Sequence, residues 1–338
     1  MKKNKEAAFF RHENKLNELE KEIREYHAKG NELTTKERNK LQQAEAEYNK
    51  LLETDYSHLS AWERVLLARS PRRPKALDYI AAIFENYIEL HGDRYFGDDP
   101  AIITGLAMFK NRGFAVIGQQ KGNDVEENVR RNFAMAHPEG YRKALRIMQL
   151  ADRFSLPIVI FIDTPGAYPG IGAEERGQAE AIAKNIKEMF KVKVPIIIFI
   201  IGEGASGGAL GIGVGDAVLM LENTWYCVIS PEGCASILWK DREKAPEVAE
   251  LLKLSPPDLL EFGVIDEIVP EPRGGAHRNP QQTFDNTREV LIKYLDKFSA
   301  MTTEELQQKR YEKFRNIGSF QEKKNKRKKN SAPGKGAL

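Results

Sequence analysis

Cysteine is nearly absent from the 338 residues: Cys227 and Cys234 are the only two, and they form no CxxC pair. This scarcity excludes a disulfide framework and a zinc site built from cysteines. Long apolar runs are also missing, since the longest, residues 194–201, is far shorter than the ~20 residues that cross a bilayer. A Glu-rich stretch follows the basic N-terminus, where a signal peptide would have its apolar segment. We therefore expect a globular protein of the cytoplasm.

The net charge of +3 is unevenly distributed along the chain. Residues 321–338 hold seven lysines and arginines against one acid, Glu322, so the remainder is slightly acidic. No aromatic side chain stands among these lysines to stack on nucleic-acid bases. We interpret residues 319–338 as a solvated, disordered basic tail, and we predict no firm nucleic-acid or membrane partner.

The first 55 residues have the composition of an exposed helix, with 12 cations, 12 anions and almost no glycine or proline. Apolar residues step by three and four on both sides of a break at Gly30-Asn31, which predicts a helical hairpin with a narrow apolar stripe. Such a hairpin could fold onto its own domain, or it could be an arm that packs on another subunit. We favour the arm. We assign residues 1–70 to this arm and its basic, proline-containing linker.

Residues 71–318 alternate short β-branched runs with helical patterns, which predicts an α/β domain. The runs lack polar alternation, so we expect strands that are covered on both faces. Helices are predicted at residues 138–154 and 173–190, and the sequence TTEE at 302–305 predicts a capping box that begins a last helix. The predicted strands are residues 102–108, 114–118, 157–163, 195–201, 217–221, 225–229 and 264–269.

Glycine collects in two segments that directly follow predicted strands. The first is DTPGAYPGIG at residues 163–172, and the second is GEGASGGA at residues 202–209. The carboxyl ends of parallel strands are where α/β folds bind their ligands. More glycine occurs there than a tight turn requires, so we expect these two loops to form the functional site.

The second loop matches three different signatures. The spacing Gly-x-Gly-x-x-Gly over 202–207, with Glu222 twenty residues on, is that of a dinucleotide site, although residues 207–215 are too few for a crossover helix. The spacing Gly-x-Ser-x-Gly around Ser206, with Asp266 and His277 further along, is that of a serine hydrolase. The same glycines could also form an oxyanion hole from backbone amides at a helix N-terminus. The pattern alone leaves these alternatives open, and the oxyanion hole requires the fewest residues.

Longer motifs give the sequence a specific resemblance. It carries LHGDR (90–94), PEGYRKA (138–144), DTPGAYPGI (163–171), EERGQ (174–178), VISPEGCASILW (228–239) and GGAHR (274–278), besides the second glycine loop. Over about residues 62–280 it closely resembles the carboxyltransferase alpha subunit of bacterial, multi-subunit acetyl-CoA carboxylase. Motifs of this length are far more specific than a three-glycine pattern.

The resemblance implies a crotonase (ClpP-like) superhelix of ββα repeats, with the helical hairpin before it and a last helix and basic tail after it. It implies transfer of a carboxyl group from carboxybiotin, on a separate carrier protein, to acetyl-CoA, giving malonyl-CoA for fatty-acid synthesis. The implied partners are a carboxyltransferase beta subunit in an alpha2beta2 assembly, the biotin carboxyl carrier protein and biotin carboxylase. The only metal implied is zinc on the beta subunit, with none in this chain.

The resemblance also assigns residue roles. Backbone amides would stabilise the biotin oxygen, and our candidates for them are Gly207 and Gly208, with Gly166 and Ala167 facing them. The residues expected to contact the biotin group are Tyr168, Pro169, Gly170, Ser206 and Ala209, with Ser206 as a helix cap.

Two positions depart from the family pattern: Asn123 replaces an Arg, and Ala134 replaces a Gly. The first departure removes a possible contact to a CoA phosphate. Lys121, Arg130 and Arg131 could supply that cation, or they could be solvated surface charge.

Overall fold

The computed structural model describes residues 3–56 and 58–318, so the predicted basic tail at 319–338 lies outside the described residues. The helices are α1 (Lys3–Lys29), α2 (Thr35–Asp55), α3 (Ala61–Ala68), α4 (Ala76–Ile83), α5 (Val125–Arg130), α6 (Pro138–Arg153), α7 (Ile171–Glu175), α8 (Gln178–Met189), α9 (Ser206–Leu210), α10 (Pro231–Trp239), α11 (Ala245–Leu252), α12 (Pro256–Glu261), α13 (Pro280–Ser299) and α14 (Thr303–Arg315). The strands are β1 (Glu85–Glu89), β2 (Ile102–Phe109), β3 (Arg112–Gln119), β4 (Ile158–Thr164), β5 (Ile196–Ala205), β6 (Ala217–Leu221), β7 (Trp225–Cys227) and β8 (Glu267–Val269). Within this described part, no helix is long and apolar enough to cross a membrane.

The strands form one sheet in the order β1-β2-β3-β4-β5-β6-β8, and β7 pairs with the far end of β5. The pairs β1–β2 and β2–β3 are antiparallel, whereas the pairs from β3 onward are parallel. All residues of β4, β5 and β6 are buried, as expected for strands with helices on both faces. The prediction of a mixed α/β fold with covered parallel strands is confirmed.

Alternate residues of β4 enter two separate cores. Ile158, Ile160 and Ile162 pack in one cluster with residues of α6 and α8, while Val159 and Phe161 pack in another with residues of α4 and α13. Each fully buried apolar side chain contributes about 1.5–3 kcal/mol relative to an exposed one. The central strands therefore anchor both layers of helices.

Three sequence predictions differ from the structure. Strand β5 continues through residues 202–205, so the first half of the second glycine loop is strand rather than loop. The helix predicted over 173–190 is two helices, because Gly177 adopts a left-handed φ of 83° between α7 and α8. Several elements were not predicted, among them strand β1 and helix α13; β1 is a largely exposed edge strand without an apolar run.

The predicted helical hairpin is present, and its base is bound to its own domain. Helix α2 begins with a capping box between Thr34 and Glu37. Arg278 donates hydrogen bonds to Glu13 (2.9 Å) and Glu20 (2.6 Å) of α1, and Arg72 also donates to Glu20 (2.7 Å). These contacts fix the hairpin where it leaves the body, and packing of its outer part on another subunit stays a prediction.

Helix α14 is attached to the body by one buried arginine. Arg310 is 1% exposed and donates to Asp216 (2.7 and 2.9 Å) and to the backbone carbonyls of Met189, Val192 and Val194. Burial raises the pKa of Asp216 even though Arg310 lies against it. Loss of the guanidinium would therefore leave a buried carboxylate without its counter-ion.

We expect Arg310→Met to lower the free energy of unfolding by about 3–5 kcal/mol, because breaking a buried ion pair leaves an uncompensated charge. Urea denaturation followed by circular dichroism measures the change. Arg315→Met, on the exposed end of the same helix, should change stability by less than about 0.5 kcal/mol. A loss below about 1 kcal/mol for Arg310→Met would contradict this account of α14.

Candidate functional site

The two predicted loops touch each other, because the strands that precede them are parallel neighbours. Thr164 of β4 pairs with Gly204 of β5, so both chains turn at the same edge of the sheet. A Cβ atom on Gly208 would lie 2.3 Å from the carbonyl carbon of Gly166 and 2.5 Å from the nitrogen of Ala167. Only a glycine permits this approach of the two backbones.

Several backbone amides at this contact are free to donate. Helix α9 has only five residues and no side-chain cap, so the amides of Gly207 and Gly208, in its first turn, lack helical acceptors. Among the described residues, the amide of Ala167 also has no hydrogen-bond acceptor. The amide of Gly166 differs from our prediction, since it donates to the hydroxyl of Thr164 at 3.1 Å. Gly166, with φ of 149°, instead shapes the turn that precedes Ala167.

The backbone carbonyl groups of Gly207 and Gly208 accept hydrogen bonds within the protein. The carbonyl of Gly208 accepts from Gln119 Nε2 at 2.7 Å and from the Tyr141 hydroxyl at 3.3 Å, while Gly207 accepts from the amide of Gly211 at 2.8 Å. These bonds fix the orientation of α9 and therefore of its free amides. Sequence analysis assigned no role to Gln119 or Tyr141. Tyr141 lies in the motif PEGYRKA (138–144), which was the available signal, whereas Gln119 lies in none of the motifs.

Ser206 is not the helix cap that we predicted. Ala205 occupies the cap position, and Ser206 is the first helical residue, exposed and with a left-handed φ of 57°. Its hydroxyl therefore cannot take the place of the capping oxygen, because the chain turns one residue earlier. Ala209, which we expected to contact the biotin group, is buried in the core.

The remaining predicted residues form the far side of the first loop. Tyr168 stacks on His137 with ring centroids 4.2 Å apart, and its amide donates to the carbonyl of Ala136 at 3.0 Å. Gly170 passes so close to the Tyr168 ring that a Cβ atom would lie 2.3 Å from it. Pro169 is exposed. These contacts hold the first loop in one conformation next to the free amides.

The hydrolase alternative lacks its base in the structure. His277 is buried under α1, where Nε2 lies 3.7 Å from Glu13, and neither ring nitrogen has a hydrogen-bond partner among the described residues. Burial lowers the pKa of this imidazole. Asp266 accepts from the amide of Val218 and is paired with Lys313. Neither residue therefore activates Ser206. The dinucleotide alternative also fails, because α9 has five residues instead of a crossover helix.

A strained segment, residues 132–134, contacts the start of the first loop. Asn132, Phe133 and Ala134 have φ of 47°, 54° and 62°, a conformation that costs residues other than glycine about 1–2 kcal/mol each. The carbonyl of Ala134 accepts from the Thr164 hydroxyl at 2.6 Å. This left-handed backbone explains why a glycine is expected at position 134, and the alanine here adopts the same conformation.

A cluster of charges lies where β4 and β5 turn. Lys121, with 18% of its side chain exposed, donates to Asp163 (2.6 Å) and Glu203 (2.9 Å), and Arg69 donates to Glu203 (2.6 Å) and Glu232 (2.5 Å). Burial alone would lower the pKa of Lys121, but the two carboxylates raise it. Burial alone would raise the pKa of Glu203, but Lys121 and Arg69 lower it.

The three cations considered for a CoA phosphate are placed differently from one another. The ammonium of Lys121 is occupied by its two carboxylates, so it is neither a free cation nor a solvated surface charge. Arg131 donates to Glu127 and to the carbonyl of Pro100, both at 2.9 Å. Arg130 is exposed, 3.5 Å from Glu127.

An apolar cavity of about 410 Å³ opens at the first turn of α9, and Gly207 is the residue with a free amide that lines it among those described. Ser206 and Gly207 form one wall, and apolar side chains form the rest, among them Leu210, Val228 and Leu259. Low polarity around backbone donors strengthens their interaction with a negative oxygen. No group of three potential metal ligands is found in residues 3–56 and 58–318. The arrangement can therefore stabilise an oxyanion in an apolar surrounding.

Comparison with known proteins agrees with the long motifs. A family model described as acetyl co-enzyme A carboxylase carboxyltransferase-like matches residues 9–318. The chain belongs to this family. Members named acetyl-coenzyme A carboxylase carboxyl transferase subunit alpha include that of Halalkalibacterium halodurans, 51% identical over 90% of this chain and 95% of its own. The protein of Geobacter metallireducens is 56% identical over 82% and 87% of the two chains. The resemblance drawn from the motifs, and with it a carboxyltransferase subunit of this enzyme, is confirmed.

Solved structures share the fold at low sequence identity. Transcarboxylase 12S aligns with a TM-score of 0.54 and 20% identity over 67% of this chain and 42% of that chain. The geranyl-CoA carboxylase beta subunit of P. aeruginosa gives a TM-score of 0.54 and 16% identity over 73% and 46%. The chain thus spans less than half the length of these two proteins. Their likeness confirms the crotonase-type fold class predicted for the family.

We expect Lys121→Met to lower the free energy of unfolding at about pH 7 by about 3–5 kcal/mol, because Asp163 and Glu203 would remain buried without their shared cation. Lys121 and Arg69 hold the pKa of Glu203 below its ordinary value of 4.5, so the stabilisation exists above that pH and is lost as the pH falls. The deficit of the variant should therefore shrink in acid. Urea unfolding at about pH 7 and at a pH below 4.5 tests this, with exposed Lys193→Met as control. A deficit independent of pH would contradict the proposed pairing.

Proposed function

We propose that the alpha chain supplies the backbone amides that stabilise the biotin oxygen during carboxyl transfer to acetyl-CoA. The observation that carries this proposal is the contact between Gly208 and the Gly166–Ala167 peptide, which lies beside the first turn of α9 with its amides of Gly207 and Gly208. A side-chain nucleophile is not required. The product would be malonyl-CoA, as the family resemblance implies.

In this proposal the chain acts on charge that develops as bonds change. The bond between the carboxyl carbon and a biotin nitrogen breaks, and the ureido oxygen of biotin gains negative charge. A bond forms between the carboxyl carbon and the methyl carbon of acetyl-CoA, whose proton passes to the biotin nitrogen. Removal of one preorganised donor to such an oxygen costs about 2.7–4 kcal/mol in comparable sites. Backbone amides at a helix N-terminus also act through the helix dipole, although α9 is short.

A second chain would complete the site. The thioester oxygen of acetyl-CoA needs its own donors, which we assign to a beta subunit in an alpha2beta2 assembly, with zinc on that subunit. The carrier of biotin and the biotin carboxylase would be further partners, in the cytoplasm. Exposed apolar side chains support a partner: Val228, which lines the cavity, is 77% exposed, and Ile237 and Leu238 of α10 are 59% and 67% exposed.

We expect Gly208→Ala to lower kcat by about 10²–10³, because the added methyl group must separate the two loops and move an amide donor. Gly207→Ala is the matched control: its methyl group would contact only Ile182, at 3.6 Å, and the amide would remain. The assay is malonyl-CoA-dependent carboxylation of free biotin by this chain mixed with a beta chain. Equal rates for the two variants, with assembly intact, would refute the amide assignment.

Ser206→Ala separates the transferase from a serine hydrolase. Because no base contacts the Ser206 hydroxyl in residues 3–56 and 58–318, we expect the variant to keep carboxyl transfer within about threefold of the native rate. The same reverse half-reaction measures it, with fluorophosphonate labelling of the native chain as an independent check. A fall of 10³ or more in rate, together with labelling at Ser206, would support the hydrolase instead.

A further inference from the structure

We propose that a second site, a cleft between α6 and α8, binds the phosphates of a nucleotide. The cleft has a volume of about 890 Å³, within the size range of sites for small molecules. The loop at residues 93–96 closes one end. Its cationic lining is Arg94, Arg142, Arg146, Arg176 and Lys184.

Three of these cations make no hydrogen bond or ion pair with a carboxylate among the described residues. Arg146 donates only to the backbone carbonyls of His91 and Gly92, both at 3.0 Å. Arg94 and Lys184 are exposed and make no hydrogen bond or ion pair in the described part of the chain. Burial, followed by the nearby charge of Arg94, lowers the pKa of Arg146. Asp98 and Asp93 partly oppose this shift, but neither makes a hydrogen bond to Arg146 in the described part of the chain. Two neighbouring guanidinium groups without a bonded carboxylate create a site that an anion would stabilise.

The other two arginines organise the cleft. Arg142 donates to Asp93 at 2.9 Å and to Glu139 at 2.8 Å, and Arg176 donates to Glu139 at 2.8 Å. Two further acids, Glu175 and Glu180, are exposed at the rim. With Glu139, which pairs with Arg142 and Arg176, four acids stand against the five cations of the lining, so the cleft keeps an excess of one positive charge.

Two exposed aromatic rings at the mouth of the cleft can stack on the base of a nucleotide. Tyr95 is 86% exposed and Phe96 is 65% exposed. Arg142 lies 5.3 Å from the centre of the Tyr95 ring, and Arg176 lies 4.7 Å from that of Phe96. The Arg side chains cover one face of each ring. The other face can stack on a base, which contributes about 1–3 kcal/mol.

The loop that carries these rings is held in position before any ligand binds. One oxygen of Asp93 accepts from the amides of Tyr95 (2.8 Å), Phe96 (2.8 Å) and Gly97 (3.0 Å). Its other oxygen accepts from Arg142. A preordered loop loses little conformational entropy on binding.

Two sources could supply a nucleotide with this chemistry. One is the phosphorylated adenosine end of a CoA thioester, an interpretation that rests on the proposed function. The other is a free nucleotide such as ADP, which does not depend on it. The 3′-phosphate of CoA distinguishes the two, because a site for CoA should prefer a nucleotide with that additional charge.

The test is calorimetric titration of the full chain with adenosine 3′,5′-bisphosphate, ADP and inorganic phosphate as separate probes. We expect both nucleotides to bind more tightly than phosphate. Arg94→Gln and Arg146→Gln should each weaken nucleotide binding at least about tenfold, since each removes a charge-assisted contact. Arg153→Gln, at the exposed end of α6 and outside the cleft, should leave binding within about twofold. At least tenfold preference for the bisphosphate would identify CoA as the source, and equal affinity would identify a free nucleotide.

Two results would overturn the proposal. One is no binding of either nucleotide at millimolar concentration, or binding that neither arginine variant weakens. The other is loss of assembly with a beta chain in Arg94→Gln without any change in nucleotide binding, which would make the cleft a protein interface. Because the readout is binding and not turnover, failure of the amide mechanism would leave this test unaffected.

Discussion

Lys121 bridges two carboxylates where β4 and β5 end, and the geometry of the candidate site depends on that contact. Asp163 and Glu203 belong to neighbouring strands, and the amide of Glu203 donates to Asp163 at 2.9 Å. Without a cation between them, the two buried carboxylates of Asp163 and Glu203 would repel each other and separate the strands. With it, the strands continue side by side into loops close enough for Gly208 to rest on the Gly166–Ala167 peptide.

The sequence predicted the parts of this arrangement that follow from local pattern. The run Ile158–Ile162 has no polar residue, and such a strand must be covered on both faces. Two glycine-rich segments after adjacent parallel strands then had to meet at one edge of the sheet. The capping box at Thr302 likewise depends on four consecutive residues, and helix α14 begins there.

Tertiary contacts decided what the pattern could not show. The GEG of residues 202–204 reads as a loop, yet it is strand, because Glu203 pairs with Trp225 of β7 and its carboxylate is neutralised by Lys121. Nothing local distinguishes Lys121 from a surface lysine. Ser206 was expected to cap α9, but the chain turns at Ala205. The amide of Gly166 is occupied because Thr164 folds back on it, a contact that spacing does not reveal.

The free amides of the two glycine loops depend on the contacts that hold these loops, including the left-handed segment at Ala134. Donors that stabilise an oxyanion must remain unsatisfied in the resting protein, which is unfavourable unless other contacts hold them in position. Here the carbonyl of Gly208 is bound by Gln119 and Tyr141, and the first loop rests on the left-handed Ala134. Those contacts are made by the carbonyl groups, so they leave the amides of Ala167, Gly207 and Gly208 unoccupied. The energy that keeps the amides open therefore comes from contacts with the sheet and α6.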